Sequence, residues 1–133
     1  MTENDLTIQI EDFLQEQNYR IRFEVPNMGQ SIDILASKNR WLTAIEAKIA
    51  DWRRALYQCK THELIADYIC VAIATKNISE ELQFETRKRG YGLIHFDRKR
   101  QRCTWVINPE RNQKVWQAQR RKFSKNLRGI EYV

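Results

Sequence analysis

The 133-residue chain contains few of the residues that usually interrupt or cross-link a fold: four Gly, two Pro and three Cys. With no repeat or low-complexity stretch either, its elements must be joined by short turns, which predicts a single domain over residues 1–133. Cys59, Cys70 and Cys103 are odd in number and form no C-x-x-C pair, which indicates neither a disulfide framework nor a zinc ribbon. Cys59 and His62 do form a C-x-x-H, but the spacing matches no zinc module, and we expect ordinary core cysteines.

Long hydrophobic runs are also missing, since the longest wholly apolar stretch is residues 69–74. A membrane-spanning helix needs about 20 apolar residues, and the acidic, polar start of the chain is unlike a signal peptide. We therefore expect a cytoplasmic protein with no membrane partner.

The net charge of +6 conceals a strong asymmetry along the chain. Residues 1–86 contain 9 Lys or Arg and 14 Asp or Glu, whereas residues 87–128 contain 14 and 2. Trp105, Trp116 and Phe123 interleave with the basic residues, which is unlike a disordered tail. The pattern favours a polyanion partner for the basic segment and a functional acidic site in the first, although a solvated basic tail is the alternative.

Hydrophobic periodicity, capping residues and turn formers predict a mixed α/β order in which helices connect the later strands. The predicted strands are residues 20–25, 31–36, 41–49, 68–74, 93–96 and, as an edge strand, 102–107. The predicted helices are residues 4–18, 51–66, 79–89 and 112–127, of which Asp51 and Ser79 cap the second and third.

Three ionisable residues are expected to converge on the hairpin formed by the second and third strands. Alternation places Glu46 and Lys48 on one face of the third strand, while Asp33 lies between two isoleucines on the second. A turn centred on residues 38 and 39 makes paired numbers sum to about 77, so that Asp33 faces Ala44 and reaches Glu46 along the diagonal.

This cluster suits a hard cation, because magnesium binds one or two carboxylates, carbonyl oxygens and several waters. Asp33 and Glu46 would be the ligands, with the Ala47 carbonyl as a third. Lys48 would orient or help deprotonate an attacking water, or neutralise charge in the transition state. A Glu-x-Lys triplet alone is weak evidence, since about 0.7 are expected by chance in this composition.

The context strengthens it, because a helix, three strands bearing Asp33 and Glu46-x-Lys48, a helix and another strand resemble the PD-(D/E)XK, or restriction-endonuclease-like, superfamily. The resemblance covers residues 4 to about 97 and includes small members similar to Holliday-junction resolvases. Ile32 stands where the motif often has Pro. The resemblance implies an αβββαβ core with a mixed sheet flanked by helices, here residues 1–97, on which a basic strand–helix extension, residues 98–133, would pack.

The same resemblance implies a Mg²⁺-dependent endonuclease acting on DNA, with Mn²⁺ as a substitute, in which Asp33 and Glu46 bind metal and Lys48 is catalytic. Gln58 matches a Gln that the family often places near the active site. Many relatives add a Glu from the first helix, for which Glu3 and Glu11 are candidates and Glu11 is preferred.

The residues expected to position the DNA backbone are Arg53, Arg54, Arg120, Arg121 and Lys122. One alternative is a DNA-binding module of the same fold without catalysis. Another is an assembly subunit whose final helix contacts a protein through Trp116 and Phe123. A homodimer or higher homo-oligomer would supply the two sites that cutting both strands requires.

Overall fold

The computed structural model describes residues 1–122 and has a mixed α/β fold built on one six-stranded sheet with strand order β1-β2-β3-β4-β5-β6. The strands are β1 Arg20–Asn27, β2 Gln30–Lys38, β3 Trp41–Lys48, β4 Tyr68–Ile73, β5 Gly92–Asp97 and β6 Arg102–Ile107. The helices are α1 Glu3–Gln15, α2 Trp52–Cys59 and α3 Glu80–Lys88. Within these residues no helix is long and apolar enough to cross a membrane.

The elements follow the predicted αβββαβ order along the chain. The direction of each strand is set by the connection that precedes it. Short turns make β1, β2 and β3 antiparallel neighbours, whereas α2 and α3 return the chain so that β3, β4 and β5 are parallel. The final strand, β6, pairs antiparallel with β5 and is the predicted edge strand. The carboxyl ends of β3, β4 and β5 therefore meet at one edge of the sheet.

The sheet is covered on both faces, and each face has its own hydrophobic cluster. Leu6, Ile10 and Leu14, spaced at helical intervals along α1, pack on one face against residues such as Ile34. Residues of α2 and α3 cover the opposite face, where they pack against strand residues such as Ile32 and Ala44. The near-continuous apolar sequence of β4 is explained by this burial on both sides.

Two helix boundaries differ from the sequence prediction. Thr2 caps α1 in a capping box with Asp5, so the helix begins before Asn4, and it ends at Gln15. Asp51 caps α2 as predicted, but the α-helix ends at Cys59 and continues as a 3-10 helix, Lys60–Leu64. The tighter winding changes which side chains of residues 60–64 turn toward the sheet.

The register of the β2–β3 hairpin was predicted wrongly by two residues. Ile34 pairs with Ile45 and Lys38 with Trp41, so paired numbers sum to 79. The turn residues are Asn39 and Arg40, both with positive φ, which is the backbone of a two-residue turn between antiparallel strands. Sequence reasoning centred the turn one residue early because Arg40 gives no sign that it adopts this conformation.

The basic extension returns toward the start of β3 and β4. The Arg120 side chain donates hydrogen bonds to Asp67 and to the Arg40 carbonyl oxygen. The backbone N–H of Trp116 donates to the Leu64 carbonyl at 2.6 Å. Of the final helix predicted at 112–127, residues 117–122 are helical. Residues 112–116 are not helical, so the helix begins later than predicted, and residues 123–127, including Phe123, lie outside the described residues.

Candidate functional site

The second and third strands separate where Asp33 lies. Their regular pairing ends at Ile34 and Ile45, and beyond it the Asp33 carboxylate accepts the Ala47 backbone N–H at 2.9 Å. The N–H and C=O of one strand residue point to the same side, so the Ala47 carbonyl also faces the gap between β2 and β3. Asp33 and the Ala47 backbone are thus brought together as predicted, although through a different register.

The alternation of β2 breaks at the same point. Ile32 packs in the cluster under α2, whereas Ile34, two residues later, packs in the cluster under α1. The neighbouring strand shows a matching irregularity, since Glu24 has φ 50° and lies between the paired residues Phe23 and Val25. This was not predicted, because the sequence around Asp33 reads as a regular strand with both isoleucines on one face.

Glu46 lies on the α2 side of β3 and is only 1% exposed. Continuing the observed register places it opposite Asp33, where the sequence prediction had placed Ala44. Burial, together with the adjacent Glu46, raises the pKa of Asp33 to about 7, and burial also raises the pKa of Glu46. The two carboxyl groups therefore hold a proton near neutral pH more readily than isolated side chains do.

A buried histidine, which sequence reasoning did not assign to the site, contacts Glu46. The His62 Nε2 atom lies 2.5 Å from Glu46 Oε1, and neither side chain is more than 1% exposed. Burial lowers the pKa of His62 to about 4, so its ring is neutral near pH 7. The only sequence signal was the C-x-x-H of Cys59 and His62, which suggested a different chemistry.

The structure gives those two residues separate partners. The Cys59 thiol donates to the Cys70 carbonyl at 3.7 Å, and burial, followed by the charge of Glu46, raises the pKa of Cys59 well above its usual value. A protonated thiol is a poor zinc ligand. Cys59 and Cys70 are buried core cysteines, as expected, and Cys103 is half-buried.

Lys48 reaches the first helix. Its Nζ atom lies 3.3 Å from Glu3 Oε1, and the Lys48 side chain is 14% exposed. Glu3, rather than the preferred Glu11, is therefore the first-helix carboxylate beside the site. Eight residues separate the two along α1, or about 12 Å, which explains why one helix cannot bring both to Lys48.

Gln58 lies on α2, the helix that packs on β3 and β4. Its amide oxygen is buried and has no hydrogen-bond partner among the described residues. Buried polar atoms are nearly always bonded, so this oxygen has capacity for a bound ligand or water. The place of Gln58 near the active site stays a prediction, with which this free oxygen is compatible.

The residues predicted to position DNA have different surroundings. Arg53 is exposed, stacks on Trp52 and pairs with Glu81 at 2.8 Å, and Arg54 is exposed on the same helix. Arg121 and Lys122 are exposed at the end of the described chain.

Arg120 is the exception, because its side chain already has partners. Its Nε atom lies 3.0 Å from both carboxylate oxygens of buried Asp67, and its guanidinium lies over Trp41, 5.8 Å from the ring centroid. Trp41 and Glu46 are five residues apart on β3, or about 17 Å. Arg120 holds the extension at the end of β3 away from Glu46, and its role as a DNA ligand stays a prediction.

A basic cleft lies nearer to the carboxylates. It has a volume of 530 Å³ and is lined by residues after β4 and around the β5–β6 turn, among them Lys76, Arg100 and Arg102. Lys48 is in register with Ile73 and Ile73 with His95, another lining residue, so two strand spacings, or about 10 Å, separate Lys48 from the cleft.

The oxygen donors at the gap suit magnesium or manganese. Asp33 and Glu46 supply carboxylates, and the Ala47 carbonyl faces the same space. No group of three or more His, Cys, Asp and Glu side chains in residues 1–122 is arranged to hold a metal ion alone. Magnesium usually keeps several waters, so two carboxylates and a carbonyl still match its needs.

Comparison with known proteins bears on the fold and not on the activity. No protein-family model and no curated protein matches the chain. A protein of unknown function from Silicibacter pomeroyi is similar in structure, with a TM-score of 0.65, 18% identity, and coverage of 90% of this chain and 78% of that one.

Two further solved structures are also similar. One is an fdxN element excision controlling factor protein from Anabaena variabilis, with a TM-score of 0.56, 13% identity and coverage of 77% of this chain and 97% of that one. The other is an XisH family protein from Nostoc punctiforme, with a TM-score of 0.53, 13% identity and coverage of 71% and 92%. At these identities the likeness establishes a shared mixed α/β fold, and this chain has that fold.

Proposed function

We propose that this protein is a divalent-metal-dependent deoxyribonuclease of the PD-(D/E)XK type. The observation that carries the proposal is the separation of β2 and β3, which brings Asp33, Glu46 and the Ala47 backbone to one gap. Two carboxyl groups so close raise each other's free energy when both are ionised, and a bound cation would relieve that repulsion. A purely structural role gives no reason to keep them together.

Asp33, Glu46 and the Ala47 carbonyl would hold the ion. When bound, Mg²⁺ or Mn²⁺ supplies a nucleophilic water near neutral pH and stabilises charge on the scissile phosphate. Lys48 keeps its ammonium at this edge of the sheet through Glu3, from where it orients the water or balances charge on the phosphate. The unpartnered amide oxygen of Gln58 is the further group available to orient a water.

The DNA backbone would cross the carboxyl edge of the sheet. The cleft lined by Lys76, Arg100 and Arg102 lies on this edge at the ends of β4 and β5, the two strands that come after β3 in the sheet. Asp97 balances only part of the positive charge of the cleft. One DNA strand carries a phosphate about every 3.4 Å along the helix axis. The roughly 10 Å between Lys48 and His95 therefore corresponds to no more than about three nucleotides of one strand, which fits a strand running from the carboxylates into the cleft.

The decisive test uses the full chain with plasmid, single-stranded and branched DNA. Cleavage is expected with Mg²⁺ or Mn²⁺, with binding but no cleavage in Ca²⁺, and no cleavage in chelator. Glu46→Gln should abolish cleavage. Glu85→Gln removes a surface carboxylate paired with Arg89 and should cleave as the native protein does. Equal cleavage by the native protein and Glu46→Gln, or cleavage in chelator, would refute the metal mechanism.

A DNA-binding module without catalysis is the second candidate. The observation in its favour is that Glu46 already has a buried partner, His62, and so is satisfied in part without a cation. Under this proposal the native protein binds DNA with the same affinity in chelator and in Mg²⁺ and cuts none of the three substrates. Assembly through Trp116, which is 55% exposed, is the remaining alternative if no DNA is bound.

A further inference from the structure

His62 lies outside the Asp33, Glu46 and Lys48 set, yet its contact with Glu46 is short and fully buried. Both side chains are buried, and the nitrogen and oxygen are 2.5 Å apart. A buried carboxylate is costly unless it is bonded, and in proteins an apolar pair of similar volume is often at least as stable as a buried polar one. The contact therefore calls for a reason other than packing.

Asn27 determines which nitrogen of His62 carries the proton. Its amide nitrogen lies 3.2 Å from the Thr61 carbonyl and 3.1 Å from His62 Nδ1. Since a carbonyl oxygen only accepts, the Thr61 contact fixes the orientation of the amide, and Nδ1 must accept from it. The ring proton of the neutral imidazole then lies on Nε2 and is donated to Glu46 Oε1.

The donated hydrogen bond divides the two oxygens of Glu46 between two tasks. Oε1 accepts from His62, so Oε2 is the oxygen that this contact leaves free to face a cation. Magnesium commonly takes one oxygen from a carboxylate in a strict octahedral arrangement, whereas calcium accepts bidentate carboxylates and more ligands. A carboxylate restricted in this way favours the smaller ion.

We propose that His62 is a positioning residue that holds Glu46 as a one-oxygen ligand and makes the site prefer magnesium and manganese over calcium. The inference rests on the proposed metal-dependent function. Asn27 acts one step further out, by keeping the Nε2 proton directed at Glu46. Partners of this kind typically change metal affinity 10–100-fold when they are removed.

The test is calorimetric titration of the full chain with MgCl₂, MnCl₂ and CaCl₂, without DNA. His62→Leu has no donor and is expected to bind Mg²⁺ about 10–100-fold more weakly. It should lose less affinity for Ca²⁺, so that the ratio of the two constants shifts toward calcium. His62→Gln can place an amide N–H near Nε2 and should recover much of the Mg²⁺ affinity, even if His62→Leu folds poorly.

Tyr91→Phe is the matched control. It removes one hydrogen bond from a similarly buried side chain, whose hydroxyl donates to Glu63 at 2.6 Å and not to Glu46. Its Mg²⁺ affinity should equal that of the native protein. Nitrogen NMR of labelled histidine adds a direct readout, because the native ring should show a proton on Nε2.

The outcomes separate the two proposals. If the native protein binds Mg²⁺ and cuts DNA, and His62→Leu has the same affinities for both ions, the positioning role is refuted and the nuclease function stands. A ring proton found on Nδ1 would refute the positioning role as well. If the native protein binds no divalent ion, the metal-dependent function fails, and the role of His62 fails with it.

Discussion

At the scale of single residues, Asp33 is the side chain whose surroundings most oppose its charge. Its pKa is raised to about 7, above the value in the unfolded chain, because it is partly buried beside Glu46. The folded protein therefore holds this proton more tightly, and its free energy of unfolding falls as pH rises from about 4 to about 7. Below about pH 4 Asp33 is protonated in both states, and this loss of stability disappears.

Replacing Asp33 by Asn should remove this pH-dependent loss. In chelator at pH 8, Asp33→Asn is expected to unfold at the same or a higher temperature than the native protein, because the amide oxygen can still accept the Ala47 N–H. At pH 5, near the lower end of that pH range, the advantage should be much smaller. Thermal unfolding at both pH values measures it, and a variant several degrees less stable at both would make Asp33 a structural residue.

Adding magnesium separates ligand loss from charge relief in the same pair of proteins. A ligand at 100 times its dissociation constant stabilises a folded protein by about 2.7 kcal/mol. We expect Mg²⁺ to raise the unfolding temperature of the native protein and to raise that of Asp33→Asn much less. Equal stabilisation of both proteins would exclude Asp33 as a metal ligand.

Lys48 is predicted to act in catalysis without binding the ion. Lys48→Ala should lose cleavage on the order of 10²–10³-fold, the usual effect of removing one electrostatic group from a transition state, while keeping the stabilisation by Mg²⁺. Glu3→Gln should lose less, since an amide oxygen can still accept from the Lys48 ammonium. Plasmid cleavage rates test the order, and a Lys48→Ala protein that no longer responds to Mg²⁺ would contradict it.

At the scale of elements, the β2–β3 turn fixes the register that places Asp33 beside Glu46. Asn39 and Arg40 have φ of 52° and 70°, a conformation that costs most residues about 1 kcal/mol but suits Gly. Arg40→Gly should therefore stabilise the protein by about 1 kcal/mol or slightly less, and its backbone carbonyl remains available to Arg120. Chemical denaturation measures this, and a loss of stability would mean that the Arg40 side chain contributes more than the turn costs.

At the scale of the whole molecule, the basic residues serve two purposes. Arg120 holds the C-terminal extension through Asp67, whereas Lys76 and Arg102 line the cleft proposed to bind DNA. Lys76→Ala with Arg102→Ala should weaken binding to all DNA sequences and reduce the slope of log affinity against log salt by about 1.8, or 0.9 for each lost phosphate contact. Arg121→Ala with Lys122→Ala tests the sequence-based prediction for the final helix in the same assay.

Arg120→Ala is the contrasting variant. It should leave the slope unchanged and destabilise the fold by about 2 kcal/mol, because buried Asp67 loses a charged partner. A reduced slope with unchanged stability would return Arg120 to the DNA-binding surface.

Much of this protein follows from the sequence alone. The period-2 and period-3.6 patterns determined the strands and helices and their αβββαβ order, because burial on a sheet face or a helix stripe leaves that signature in a single element. The same alternation identified Glu46 and Lys48 as neighbours on β3. Asp51 and Ser79 marked the starts of α2 and α3 through a capping bond that forms within one turn.

Tertiary structure alone decided how the site is assembled. The pairing of Asp33 with the Ala47 N–H depends on where β2 and β3 separate, which no local pattern encodes. The contacts of His62 with Glu46 and of Glu3 with Lys48 join residues 16 and 45 positions apart. Such pairs are chosen by the packing of whole elements, so their chemistry becomes visible only when the chain is folded.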